Sequence, residues 1–355
     1  MSDSNPDRKP ISPNDALPPV EPPSAAFLVQ LFLIPGIIVG VIVLVWVMFN
    51  WIAHSGSGDP QEYVEALRRN SSDVWQKAEI LAEMLRNDRR NELKSNPTLA
   101  GDLADILDQR IATGDMDEAS VNLRVYLSSA LGQFNTPAGL PALLKAASTN
   151  RSDAELPVRR AALDAIGSLA ANVQATTNAP LSDPALVDCL LAASRDPESV
   201  IRLRAAYVLG IVGGPKAILR LVELLNDPYP DVAYNAATGL ARHGDVRAIG
   251  ELSEMLHTGE SSPSLEKEDA ELRDEKRTAI IVNALRAVGQ LADVNPQADL
   301  SRVEPEVRAW QRADASAAFG VANVPLEIRQ AALATGEILA DRPSPRGARP
   351  ATAAK

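Results

Sequence analysis

Three regimes of polar and apolar patterning follow one another along the chain. Residues 1–26 are polar and hold seven prolines, with almost nothing to bury. Such a stretch cannot offset the entropy of ordering, so it is expected to be a disordered tail. Phe27 to Ala53 then runs 27 residues without a charge, interrupted only by Gln30 and Asn50. About 20 apolar residues already cross a bilayer core, so residues 27–53 are expected to form one transmembrane helix. A cleavable signal peptide would have an apolar stretch of roughly 7 to 15 residues after a short basic start. This one is longer and follows an acidic tail, which favours an uncleaved single-pass anchor. Residues 54–59 read as a flexible linker.

Arg8 and Lys9 precede the apolar run and no Lys or Arg follows until Arg68, which favours a cytoplasmic N-terminus. Trp46 and Trp51 suit a membrane interface in either orientation. Gly36 and Gly40 stand four apart on one face and make a candidate helix-dimer face. The same pair also fits a Gly-tolerant membrane helix, with Pro35 marking a kink.

From residue 60 onward the pattern is helical and it repeats. Small residues stand late in successive apolar helices at Gly132, Gly167, Gly210, Ala241, Gly289 and Gly336, spaced by 35, 43, 31, 48 and 47. Five residues before each anchor stand Leu127, Ala162, Ala205, Ala236, Ala284 and Ala331. With the apolar residues one and nine before, these positions form one helix stripe on which a neighbour can pack closely. Shorter apolar helices precede several of them, over residues 139–148, 184–194, 215–225 and 246–256. Antiparallel pairs at a period near 40 predict an all-α fold, an α-solenoid of about six pairs preceded by the transmembrane helix. The solenoid is assigned to residues 113–340, a helical cap to 60–112 and a disordered basic tail to 341–355. Residues 171–182 and 258–273 interrupt the period and are expected to project as loops.

One stretch carries a family resemblance. Asp196-Pro197, Ile201-Arg202, Ala205-Ala206, Leu209-Gly210, Gly214-Pro215, Leu224-Leu225 and Asn226-Asp227-Pro228 resemble HEAT repeats, including the short HEAT-like form of bacterial bilin lyases. Acids recur 14 residues before the anchors, at Glu118, Asp153, Asp196, Asp227 and Glu275, and arginines eight before, at Arg124, Arg159 and Arg202. The resemblance implies a ladder joining adjacent repeats, formed by Asp153, Arg159, Asp196, Arg202 and Asp227. The chain departs from that pattern at Ala233, Ile281 and Ile328, where arginine is expected.

Composition adds placement and exclusion. Among 355 residues there are 35 Lys plus Arg against 46 Asp plus Glu, a net charge of −11. The first 26 residues carry −2 and residues 341–355 carry +3, so the segment between them carries −12. An acidic body of this kind argues against nucleic-acid binding and favours a basic segment on a protein partner. One cysteine and three histidines cannot supply a Cys/His zinc cage. Cys189 lies on an apolar stripe, and Gly213-Gly214-Pro215-Lys216 lacks the first glycine and the Ser/Thr of a phosphate loop. No catalytic, cofactor or metal residue is therefore assigned.

The function expected is a membrane-anchored HEAT-repeat scaffold, from a bacterial source by the resemblance, that mediates protein–protein interaction and is not an enzyme. The resemblance also implies a lyase-type activity as an alternative. A structural envelope protein acting by self-assembly is a third reading, and the glycine face adds homodimerisation through the span.

Overall fold

A computed structural model describes residues 24–55, 60–69, 74–87, 91–257, 264–265, 269–312 and 324–342. The disordered-tail expectation for residues 1–23, most of the linker, and residues 343–355 lie outside the described residues. Met1–Asp59 and Pro60–Lys355 are separate compact units.

The first unit contains one helix, α1 (Ala25–Ser55), 31 residues long with Pro35 inside it. It encloses the expected 27–53 and takes in two residues at each end. Among its described side chains, Val29, Leu33, Ile37, Ile42 and Leu44 are more than half exposed. Among the described residues no helix is long and apolar enough to cross a membrane. The span expected over 27–53 therefore finds no support among them.

The second unit is all helical among the described residues. Its helices are α2 (Pro60–Arg68), α3 (Val74–Arg86), α4 (Asn91–Lys94), α5 (Pro97–Thr113), α6 (Glu118–Leu131), α7 (Leu140–Ser148), α8 (Leu156–Thr177) and α9 (Pro184–Ala193). They continue with α10 (Ser199–Val212), α11 (Pro215–Leu224), α12 (Pro230–Arg242), α13 (Ile249–Leu256), α14 (Ala270–Val294), α15 (Glu304–Gln311) and α16 (Leu326–Ala340). Local chemistry starts and stops them. Asn96 caps α5 by accepting from the amides of Thr98 and Leu99 at 3.0 and 3.1 Å, Pro97 fills the first position, and Gly114 at φ 75° ends the helix.

Packing sorts these helices into two layers. Each of α3, α6, α8, α10, α12, α14 and α16 packs on the next in that order, while α2, α5, α7, α9, α11, α13 and α15 pair with them from the other side. Seven pairs result among the described residues, one more than expected. The added pair is α2/α3, inside the segment read as a cap, where Val74, Ala78, Leu81, Ala82 and Leu85 bury one stripe. Ala205, Ala206 and Leu209 are fully buried between α10 and its neighbours.

Two expected loops change. Residues 171–177 continue α8, because Val173 is buried and Asn172 donates to the Gly132 carbonyl at 3.2 Å; Asn178 at φ 55° then ends the helix. Residues 270–273, expected in the second loop, begin α14. The pairing also adds α15, whose Val307 and Trp310 are buried in a pattern too short to register in the sequence.

Candidate interaction surface

Three junctions between inner helices, α6 to α8, α8 to α10 and α10 to α12, carry arginine–carboxylate rungs. Arg159 of α8 reaches the Asp196 carboxylate ahead of α10, and Arg202 of α10 holds Asp227 ahead of α12 through two bonds of 2.7 and 2.9 Å. Each acid also accepts from the backbone of the turn that follows it, Asp196 from the Glu198 amide and Asp227 from the Tyr229 amide, both at 2.9 Å. The arginine is fixed on its own side as well, since Arg202 donates to the carbonyls of Asp196 and Pro197 at 3.0 and 2.9 Å. Every rung thus locks one repeat's bend to the next. Burial opposes ionisation of Asp227, but the Arg202 guanidinium and the Tyr229 amide outweigh it and hold the carboxyl below its usual range.

Asp153 takes no part in this among the described residues. It opens a short 3-10 turn, Asp153–Glu155, and is exposed; Glu155, two residues on, is buried and meets Arg124 at 3.2 Å. Glu155 also accepts from the Arg151 amide at 2.6 Å. The turn rotates the acidic position by two residues, which a fixed register cannot anticipate.

A second set of joints at the C-terminal ends of the inner helices has no counterpart in the sequence reading. The Asn172 amide donates to Gly132, His243 Nε2 lies 2.9 Å from the Gly210 carbonyl, and Asn295 donates to Gly244 at 3.0 Å. Their signal would have been a polar residue shortly after each anchor. The glycine anchors allow the helices to approach. A Cβ on Gly210 would lie 2.6 Å from the Cα of Gly239, and one on Gly132 would lie 2.7 Å from the Cα of Ala165. In α12 the small residue at the contact is therefore Gly239, two before the expected Ala241.

Burial pushes the Cys189 thiol up, and its Sγ rests 3.4 Å from Ser148 Oγ. Gly213 and Gly214, at φ 67° and 86°, turn the chain from α10 into α11, and Lys216 faces Asp188 at 3.4 Å. Burial and the neighbouring Glu254 push the Glu251 carboxyl up to about 7. Among the described residues no group of His, Cys, Asp and Glu could hold a metal ion. Gly36 and Gly40 are exposed in α1, with nothing within 4 Å of a Cβ built on either.

The inner helices carry aromatic side chains and clefts at their surface. Trp75 stacks on Tyr126 at 6.1 Å, Tyr126 donates to Glu79 at 3.1 Å, and Tyr207 is 46% exposed on α10. Between α14 and α16 run two adjoining clefts of about 480 and 630 Å³ that share Arg286 and Glu327.

This succession of pairs, bends and rungs has a family counterpart. Residues 187–264 match the family model of HEAT repeats. The matched stretch spans most of α9 through α13, where the Arg202–Asp227 rung lies, so the chain carries HEAT repeats there. No curated protein matches the chain. Similar solved structures include the Escherichia coli protein YibA, at 17% identity over 81% of this chain and 96% of that one, with a TM-score of 0.41. Human deoxyhypusine hydroxylase is 16% identical over 82% and 99%, with a TM-score of 0.31. An engineered protein is 15% identical over 80% and 97%, also at 0.31.

Proposed function

We propose that the chain is a membrane-anchored HEAT-repeat scaffold that works by binding a protein partner through a basic segment, and not by catalysis. The observation that carries the reading is the division of its charge. The rung arginines are consumed in buried joints between repeats, with side-chain exposures of 2% for Arg124, 7% for Arg159 and 14% for Arg202, while residues 27–340 carry a net −12. Each rung takes one acid together with its arginine, so the net −12 stays on the rest of the segment, a charge suited to a basic partner. Support for the anchor comes from α1, whose 31 residues would extend about 46 Å and contain the charge-free run 27–53. Its Gly36–Gly40 face leaves room for a second helix. With the N-terminus in the cytoplasm the solenoid lies across the membrane from it, and tethering raises its effective concentration for other membrane-bound partners.

The test has two arms. The full chain should stay with membranes through alkaline extraction, whereas a chain beginning at Pro60 should be released and remain strongly helical by circular dichroism. Crosslinking in membranes followed by mass spectrometry should recover a stoichiometric partner whose association slows as ionic strength rises through ~0.15 M, where the Debye length is about 8 Å. Extraction of the full chain would remove the anchor, and recovery of no partner would remove the scaffold.

A further inference from the structure

The clefts between α14 and α16 form one groove, because they share Arg286 and Glu327. Among the described residues four acids line it, Asp274, Glu275, Asp293 and Glu327, against the cation Arg286, and Asp274 is already paired with Arg277 at 2.8 Å. Its floor is apolar, with Ala279 and Val282 from α14 and Ala331, Ala334 and Ile338 from α16. Leu326 at one end is 69% exposed.

The other end of this groove is where the chain leaves the described residues. Ile338 lines the groove, and Arg342 follows one helical turn later. Arg342 is pinned there: its guanidinium donates to the carbonyls of Pro296, at 3.0 Å, and Ala298, and stands 3.5 Å from Glu304. Pro296 and Ala298 directly follow α14, whose Asp293 also lines the groove. What comes next is Pro343 to Lys355, with Arg346, Arg349 and Lys355 and no acid.

We infer that residues 343–355 are the occupant of the α14/α16 groove, held there by Arg346, Arg349 and Lys355 against Glu275, Glu327 and Asp293. The reach is sufficient. The groove follows α14 from Asp293 back to Asp274, roughly 28 Å at 1.5 Å per residue. Thirteen extended residues span up to about 43 Å. Charge and position both select this segment: its net +3 meets Glu275, Glu327 and Asp293, and the tether keeps it at high effective concentration. The inference goes beyond the scaffold reading and stands without any partner.

Limited trypsin digestion of the full chain tests it. The bonds after Arg342 and Arg349 precede proline and resist the protease, so release of residues 347–355 reports cleavage at Arg346 alone. Docking predicts slow release that speeds up at least about fivefold in the Glu275→Lys/Glu327→Lys variant, and similarly when salt is raised to about 0.5 M. Because groove substitutions act on the solenoid, a second variant, Arg349→Gln/Lys355→Gln, changes only the tail and keeps the Arg346 site; it should release equally fast. Equal rates in the parent chain and the tail variant would overturn the inference. So would acceleration only in a groove variant whose melting temperature has fallen.

Discussion

Arg202 shows what one side chain does in this molecule. Its guanidinium meets both oxygens of Asp227, which is only 6% exposed, while two further bonds tie it to its own bend. Truncation to alanine leaves a buried carboxylate without its cation, so Arg202→Ala should cost about 3 kcal/mol in urea unfolding of the folded body. The pH dependence has a definite sign. The folded carboxyl titrates below its unfolded value, so the pair's contribution is present above ~4 and is lost as pH falls through the folded pKa. The gap between parent and variant should therefore narrow below pH ~4, and a gap that widened there would contradict the assigned pair. Asp196, Arg159, Asp227 and Arg202 were legible as a register in the chain. The same register pointed to Asp153 where Glu155 makes the contact, because a single 3-10 turn hands the position on.

For whole helices the deciding quantity is how closely two backbones approach. Gly210 of α10 and Gly239 of α12 meet with no room for a Cβ, whereas a Cβ on Gly101 of α5 would have nothing within 4 Å. The same substitution should then act in opposite directions. Gly210→Ala must push two inner helices apart and should destabilise by about 2 kcal/mol. Gly101→Ala only removes backbone freedom inside a helix and should stabilise by about 0.5 to 1 kcal/mol. Thermal melts of the two variants check this, and equal shifts would show that the inner layer is looser than described. Most inner helices could be read in advance because their apolar stripe repeats over many residues. The C-terminal extension of α8 could not, since it rests on Asn172 reaching Gly132 in the preceding repeat, nor could α15, whose eight residues are too few for buried Val307 and Trp310 to show a period.

Across the whole solenoid, stability is carried from neighbour to neighbour, so the weakest junction sets how the stack opens. Rungs of the same kind join α6 to α8, α8 to α10 and α10 to α12. At α12 to α14 the expected arginine is Ala233, and the joint is a reversed pair, Lys276 reaching back to Asp231 at 2.9 Å with both side chains partly exposed. We expect hydrogen exchange to show α13 to α16 opening as a unit before α7 to α12, with Asp231→Asn enlarging the difference. Uniform protection across that junction would refute it. Hydrophobic period, acid–arginine spacing and net charge determined the helical class, the repeat and most of its register, because these follow from which side chains must leave water and how often they recur. Only the tertiary structure decided that Glu155 and not Asp153 meets Arg124, that Gly239 and not Ala241 meets Gly210, and that α2/α3 begins the stack. Each of those outcomes depends on how one repeat is rotated against the next, and that rotation is fixed by contacts between residues about 30 to 50 positions apart.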